Sequence, residues 1–151
     1  MNYVDTMHHD FKDDALKAAF RSYFGELGLH IADWEGLFAE MSAGEDLILV
    51  RKNKSGQVIG FIQFAVMEMS SWFFRAQCGF IREFWIREDH RQQGHGTALL
   101  QQAEEWLQTQ GCMCALLTTD TASAFYVKHG YTLQKRMQAQ NKDDVYMKLF
   151  S

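Results

Sequence analysis

In the first part of the chain, apolar residues at Phe11, Ala15, Leu16, Ala19, Phe20, Tyr23 and Phe24 keep the i, i+4 spacing that gathers side chains on one side of an α-helix. A second short helix is predicted to open at Asp33 as its N-cap, to carry Leu37, Phe38 and Met41, and to end near Gly44. The pattern then turns to strands. Residues 46–52, a turn at Asn53-Lys54-Ser55-Gly56, and residues 57–67 read together as a hairpin. Residues 70–77 interrupt the pattern and place Trp72, Phe73 and Phe74 in a loop, after which residues 79–87 form the next strand. Beyond a loop containing Gly94 and Gly96, a helical stripe of Ala98, Leu99, Ala103, Trp106 and Leu107 stops before Gly111. Residues 113–118 read as a short apolar strand and residues 121–129 as a short helix closed by Gly130. Residues 131–137 and 145–150 read as two last strands, with a turn over 141–144 between them.

This order predicts one mixed α/β layer structure. Helices between strands favour parallel pairing in the middle of the sheet, and the hairpins impose antiparallel pairing on either side. The chain carries no internal repeat, no low-complexity tract and no proline to mark a linker.

Composition narrows the function. At 151 residues, with 47% apolar and 14% aromatic side chains, the chain suits one domain spanning residues 1–151. A net charge of -4 supplies no polycationic surface for nucleic acid or anionic lipid, so neither is expected as a partner. The start of the chain, Met1 to Asp10, is polar and acidic, and the longest apolar stretch, residues 58–69, is broken by Gln63 and Glu68. A spanning helix needs about 20 predominantly apolar residues, so the expectation is a cytoplasmic protein. Cys78, Cys112 and Cys114 read as core thiols, since neither a zinc site nor a disulfide scaffold is supported by their number and spacing. His8, His9 and His30 are too isolated to argue a metal, His90 and His129 read as surface residues, and His95 as pointing off the glycine loop.

That loop, Arg91-Gln92-Gln93-Gly94-His95-Gly96-Thr97, joins a strand to the start of a helix, where backbone N–H groups and the positive end of the helix dipole converge. An anion suits such a place, because glycine lets the backbone approach a pyrophosphate and Thr97 can add a hydroxyl donor. Taken alone, the same residues also suit a glycine-rich turn with no ligand. A dinucleotide or nucleoside triphosphate loop is excluded, because the third glycine of Gly-x-Gly-x-x-Gly and the Gly-Lys-Ser/Thr ending are both missing.

Ile86, four residues, then Arg91-x-x-Gly94-x-Gly96, a helix and a strand resemble the coenzyme A-binding motif of the Gcn5-related N-acetyltransferase (GNAT) family. Ala122-Ser123-Ala124-Phe125-Tyr126-Val127-Lys128-His129-Gly130-Tyr131 is similar to that family's second signature. The resemblance runs from about Asp46 to the end, and more loosely over the two leading helices. It implies a GNAT-like single domain whose mixed central sheet has splayed central parallel strands flanked by helices. It also implies acetyl-coenzyme A as co-substrate, no metal, an amine acceptor, and a monomer or homodimer.

Carried over position by position, the resemblance gives Phe84, Trp85 and Ile86 backbone contacts to the pantetheine arm, with an N–H near Ile86 for the oxyanion. It gives Gln92, Gln93, Gly94, His95, Gly96 and Thr97 the pyrophosphate, with Arg91 adding charge. Tyr126 becomes the proton donor to the departing thiolate, of modest help because a phenol at about 10 is no stronger an acid than a thiol at about 8.5. Glu83 is the candidate base, although the family's own base often falls one residue earlier, where this chain has Arg82; an edge carboxylate paired with Arg82 or Arg87 is the alternative. With regular alternation Glu83 and Trp85 share a face opposite Phe84 and Ile86. Thr119 stands where the family usually has asparagine against the pantetheine, and Asp120 and Thr121 read as helix caps.

Acceptor selection is expected from residues 25–40, 70–77 and 137–144. Acidic Glu26, Asp33, Glu35 and Glu40 with Trp72, Phe73 and Phe74 fit a cationic, partly apolar amine, or simply a solvated acidic face. A non-catalytic acyl-coenzyme A sensor that keeps the loop and lacks the chemistry is the rival reading.

Overall fold

The computed structural model describes residues 2–72 and 74–151, so Phe73 of the expected aromatic loop lies outside the described residues. The elements run β1 (Tyr3–His8), α1 (Asp14–Glu26), α2 (Trp34–Ala43), β2 (Leu47–Asn53), β3 (Val58–Ser70), β4 (Arg75–Ile86), a 3-10 turn (Glu88–His90), α3 (His95–Thr109), β5 (Cys114–Thr119), α4 (Ser123–Lys128), β6 (Thr132–Leu133) and β7 (Asp144–Leu149). Among the described residues the strands form one mixed sheet of seven, in the order β1-β2-β3-β4-β5-β7-β6. The β1–β2, β2–β3, β5–β7 and β6–β7 ladders are antiparallel, and β4–β5 is parallel over Cys78–Cys114, Gly79–Ala115 and Phe80–Leu116. That is the expected mixture, with the parallel pair where a helix connects the strands.

The second helix opens at its expected cap, Asp33, which accepts the Gly36 N–H at 3.0 Å. The first begins at Asp14, past Phe11, where Asp13 accepts the Leu16 N–H at 3.1 Å. Tyr3–His8, in the polar start of the chain where no element is predicted, is an edge strand. Two expectations need correcting. β3 and β4 run on to Ser70 and from Arg75, so the break over 70–77 is shorter than the polar residues suggest. The strand expected over 131–137 pairs only at Thr132 and Leu133.

Two compact units divide the chain, one of Met1–Phe64 with Glu83–Ala103 and the other of Ala65–Arg82 with Glu104–Ser151. In the first, α1 and α2 bury Leu16, Phe20, Phe24, Phe38 and Met41 with Ile48, Val50, Phe61 and Trp85. Phe20 stacks on Phe61 with ring centroids 4.2 Å apart. Burial of that apolar area is the main stabilising term. In the second unit, Gly79 of β4 leaves room for Leu107 of α3: a Cβ on Gly79 would stand 2.4 Å from Leu107 Cδ1. Cys78 and Cys114, directly paired across the parallel ladder, put their sulfurs 3.1 Å apart and are fully buried free thiols, as the core reading expected. No helix among the described residues is long and apolar enough to cross a membrane.

Candidate active site

The end of β4 and the loop that follows belong to the first unit. Strand alternation puts Glu83 and Trp85 on one face, as expected, and that face meets α1. Tyr23 Oη donates to Glu83 Oε1 at 2.6 Å, and Trp85 Nε1 donates to Glu26 Oε2 at 2.8 Å. Tyr23 and Glu26 are three residues apart and so share the helix face turned to the strand. On the opposite face Ile86 reaches over Gly60, where a Cβ would come within 2.6 Å of Ile86 Cδ1 and 3.3 Å of Leu99 Cδ1. Phe84 is half-buried.

The alternative pairings of Glu83 with Arg82 or Arg87 lose ground on the Arg87 side. Arg87 Nε and Nη2 both donate to the Val58 carbonyl, at 3.0 and 2.7 Å, and its guanidinium stands 5.1 Å from the Trp85 ring centre. Arg91 is held rather than loose. Its Nε donates to the Ile86 carbonyl and its Nη2 to Glu26 Oε2, both at 2.8 Å, so the Glu26 carboxylate serves Trp85 and Arg91 together. Beside these groups lies an open hollow of about 710 Å³, walled by Glu26, Trp85, Arg87, Glu88 and Asp89 among others.

Between Arg91 and α3 the backbone turns left-handed twice, at Gln92 (φ 63°) and Gly94 (φ 87°). Gly94 is exposed, and a Cβ there would meet no atom within 4 Å. The helix's internal ladder begins with the Ala98 N–H on the Gly94 carbonyl at 3.1 Å, so the amides of residues 95–97 precede it. Gln92 and Gln93 are exposed, Gly96 and Thr97 half-buried, and His95 only 5% exposed. His95 does point off the loop: its Nδ1 lies 3.0 Å from Arg51 Nη1, and its ring meets Tyr3 edge-on at 4.7 Å.

Thr119 and Tyr126 lie in the second unit. Thr119 Oγ1 accepts the Ala122 N–H at 3.0 Å and the Thr121 N–H at 3.4 Å. This corrects the capping expectation, because the side chain holding the entry to α4 is Thr119 and not Asp120 or Thr121. Ala122, the N-cap residue itself, makes no side-chain cap bond. Tyr126 is buried on α4, with its ring edge-on to Tyr131 at 5.7 Å. Below it Glu104, also buried, accepts from Tyr131 Oη at 2.8 Å and from Lys148 Nζ at 2.9 Å. Burial, and then the Glu104 carboxylate, push the Tyr131 phenol far above its ordinary range, so it stays protonated.

The partners of the predicted residues were not legible. In the sequence Tyr23 is one more member of an apolar helix face, and Asp5 and Arg51, paired in the first unit at 2.7 Å, carry no motif at all. Among the described residues no group of His, Cys, Asp and Glu is arranged to hold a metal ion.

Known structures share this architecture. The PaiA N-acetyltransferase from Thermoplasma acidophilum, solved in complex with coenzyme A, superposes with a TM-score of 0.66 at 15% identity, covering 97% of this chain and 99% of its own. A GNAT-family acetyltransferase from Staphylococcus aureus gives 0.72 at 12% identity over 98% and 100%. An acetyltransferase from Bacillus cereus gives 0.56 at 27% identity over 70% and 74%. Curated protein sequences return no match. The sequence model of the Acetyltransferase (GNAT) family matches residues 8–131, most of the chain and both of the signatures noted above. This chain belongs to the GNAT acetyltransferase family.

Proposed function

We propose that the chain is an acetyl-coenzyme A-dependent N-acetyltransferase that passes the acetyl group directly to a primary amine of a small molecule or a peptide. The observation that carries the reading is the left-handed turn at Gln92 and Gly94 at the head of α3, with open space where a Gly94 Cβ would stand. This fits a pyrophosphate, because main-chain donors can close on its oxygens without side-chain interference and the helix dipole favours the charge. The family's solved neighbour with coenzyme A bound supports the same choice of donor.

On this reading residues Gln92 to Thr97 hold the pyrophosphate. The main chain of Phe84, Trp85 and Ile86 lies along the pantetheine, and the donor near Ile86 meets the charge that develops on the acyl oxygen. Arg91 faces the phosphates with whatever charge its Glu26 partner leaves uncompensated. The coenzyme supplies an activated acetyl thioester. Glu83, its carboxylate oriented by the Tyr23 hydroxyl, takes the proton that the amine must shed. Tyr126 returns a proton to the thiolate. Thr119 contributes through the placement of α4, since its oxygen already caps that helix. We read residues 1–151 as one catalytic domain.

The test is release of free coenzyme thiol from acetyl-coenzyme A across an amine library. Turnover with any primary amine supports the enzyme. Tight coenzyme binding with no turnover across the library assigns the sensor instead.

A further inference from the structure

Asp5 and Arg51 face each other directly on the β1–β2 ladder. Arg51 Nε and Nη2 donate to the two Asp5 oxygens at 2.7 and 2.8 Å, the bidentate geometry that fixes a guanidinium most firmly. Gln102, about two turns into α3, donates to Asp5 Oδ2 at 2.8 Å. The remaining guanidinium nitrogen, Nη1, reaches His95 Nδ1 at 3.0 Å. A guanidinium can only donate, so Nδ1 is the acceptor and His95 is a neutral ring with its hydrogen on Nε2. That Nε2 is buried and has no partner among the described residues.

A buried donor without an acceptor is costly, and an apolar residue at position 95 would avoid the cost. The polar ring therefore earns its place by its bond to Arg51. His95 sits directly after Gly94, and the loop before it is exposed and left-handed at Gln92, a conformation that a non-glycine residue keeps only where its surroundings impose it. Two attachments flank the exposed turn. Upstream, Arg91 is tied to the Ile86 carbonyl and Glu26; downstream, His95 is tied to Arg51. The Arg51 charge is cancelled by Asp5, so what this cluster gives the loop is shape and not attraction for an anion.

We propose that the Asp5–Arg51 pair clamps the His95 ring and thereby holds the glycine loop in its anion-binding form, which makes Arg51 and His95 positioning residues for the coenzyme pyrophosphate. The inference rests on the coenzyme reading above, but the clamp is testable without ligand.

His95→Leu, which keeps bulk and loses the acceptor, is compared with His95→Asn, whose amide oxygen can stand where Nδ1 does. In ligand-free protein, amide hydrogen exchange over residues 92–97 should quicken about tenfold in His95→Leu and return to within about twofold of the parent in His95→Asn, a tenfold change being 1.4 kcal/mol. Calorimetric Kd for coenzyme A, and competition by inorganic pyrophosphate, should follow the same order, while acetyl-pantetheine, which lacks the pyrophosphate, is unaffected. The milder Arg51→Lys serves if His95→Leu does not fold, since one ammonium cannot hold Asp5 in a fork and reach His95 as well. Loop exchange unchanged in a folded His95→Leu, or His95→Asn no better than His95→Leu, overturns the clamp. Parent protein that ignores coenzyme A overturns the coenzyme reading, and the exchange result still decides the clamp.

Discussion

The Tyr23 hydroxyl donates to Glu83 across 2.6 Å, joining helix α1 to the strand that precedes the glycine loop. A phenol in this place fixes one oxygen of the carboxylate and so orients it. Glu83→Gln is expected to lower turnover about 100-fold with little change in coenzyme affinity, whereas Tyr23→Phe, which keeps the base and loses its orientation, should cost nearer tenfold. Steady-state kinetics with an acceptor from the amine screen separate the two. Equal turnover in parent and Glu83→Gln removes Glu83 from the chemistry.

Tyr126 is expected to matter for turnover alone. Tyr126→Phe keeps the ring against Tyr131 and loses the proton, so kcat should fall by about 100-fold or less while coenzyme Kd holds. A loss of coenzyme affinity with unchanged kcat would reassign the hydroxyl to binding.

Gly94 separates backbone strain from ligand space. Since nothing stands within 4 Å of a Cβ at this position, Gly94→Ala meets no clash in the free protein, only the left-handed φ of 87°. That strain costs about 1 kcal/mol in unfolding free energy. The added methyl projects into the space assigned to the pyrophosphate, so coenzyme affinity should fall further than stability does, and Gly96→Glu should abolish binding by placing charge there. Urea unfolding and calorimetry on the same samples give the comparison. Full-strength binding in both variants moves the anion site elsewhere.

Thr119→Ala removes the oxygen that accepts the Ala122 and Thr121 N–H groups at the entry to α4, a helix of 6 residues whose N-cap residue makes no side-chain cap bond. The expected loss is about 1 kcal/mol, largely restored in Thr119→Ser, which keeps the hydroxyl. Denaturant midpoints check it. Should Thr119→Ala unfold with the parent, the hydroxyl has no structural role and a direct contact with coenzyme becomes the better account.

What the sequence disclosed follows from how local each signal is. The Asp33 cap, the hairpin turn and the glycine loop are set by neighbours within a few residues, and Asp33 and Asn53–Gly56 fall where their chemistry puts them. β1 escaped because an edge strand with only Asp5 and His8 part-buried has no apolar face to alternate. Its anchor, Arg51, is 46 residues away. Thr119 departs from the family pattern, and nothing in the sequence marks it over Asp120 and Thr121 as the residue that accepts the N–H 3 residues on. The long-range partners of the site, Tyr23 for Glu83 and Glu26 for Arg91, are 60 and 65 residues away and carry no spacing rule.

Acid stability offers a last test, because the groups around His95 titrate in separate windows. Burial, then the Arg51 charge, holds the His95 imidazole below its ordinary value, with His90 adding to the effect and Asp5 opposing it; Tyr3 faces the same ring. The unfolded chain thus takes up the proton first as pH falls. The stability that neutral His95 contributes is fully present above about 6.5 and is lost as pH drops from there toward the lower folded value. Asp5 follows the same sign in a lower window. The Arg51 hydrogen bond holds its carboxyl below the usual range, so its contribution is lost only below about 3.8. Thermal midpoints measured from pH 7.5 to pH 3 should therefore decline in two stages. His95→Asn should flatten the upper stage and leave the lower one, while Asp5→Asn should shrink the lower stage, in which Asp13 and Asp89, also held below the usual carboxylate range, keep their share, and should reduce stability at pH 7 by breaking the fork to Arg51. An upper stage that persists in His95→Asn would assign it to another histidine, and with it the claim that the His95 ring is neutral in the folded protein would fall.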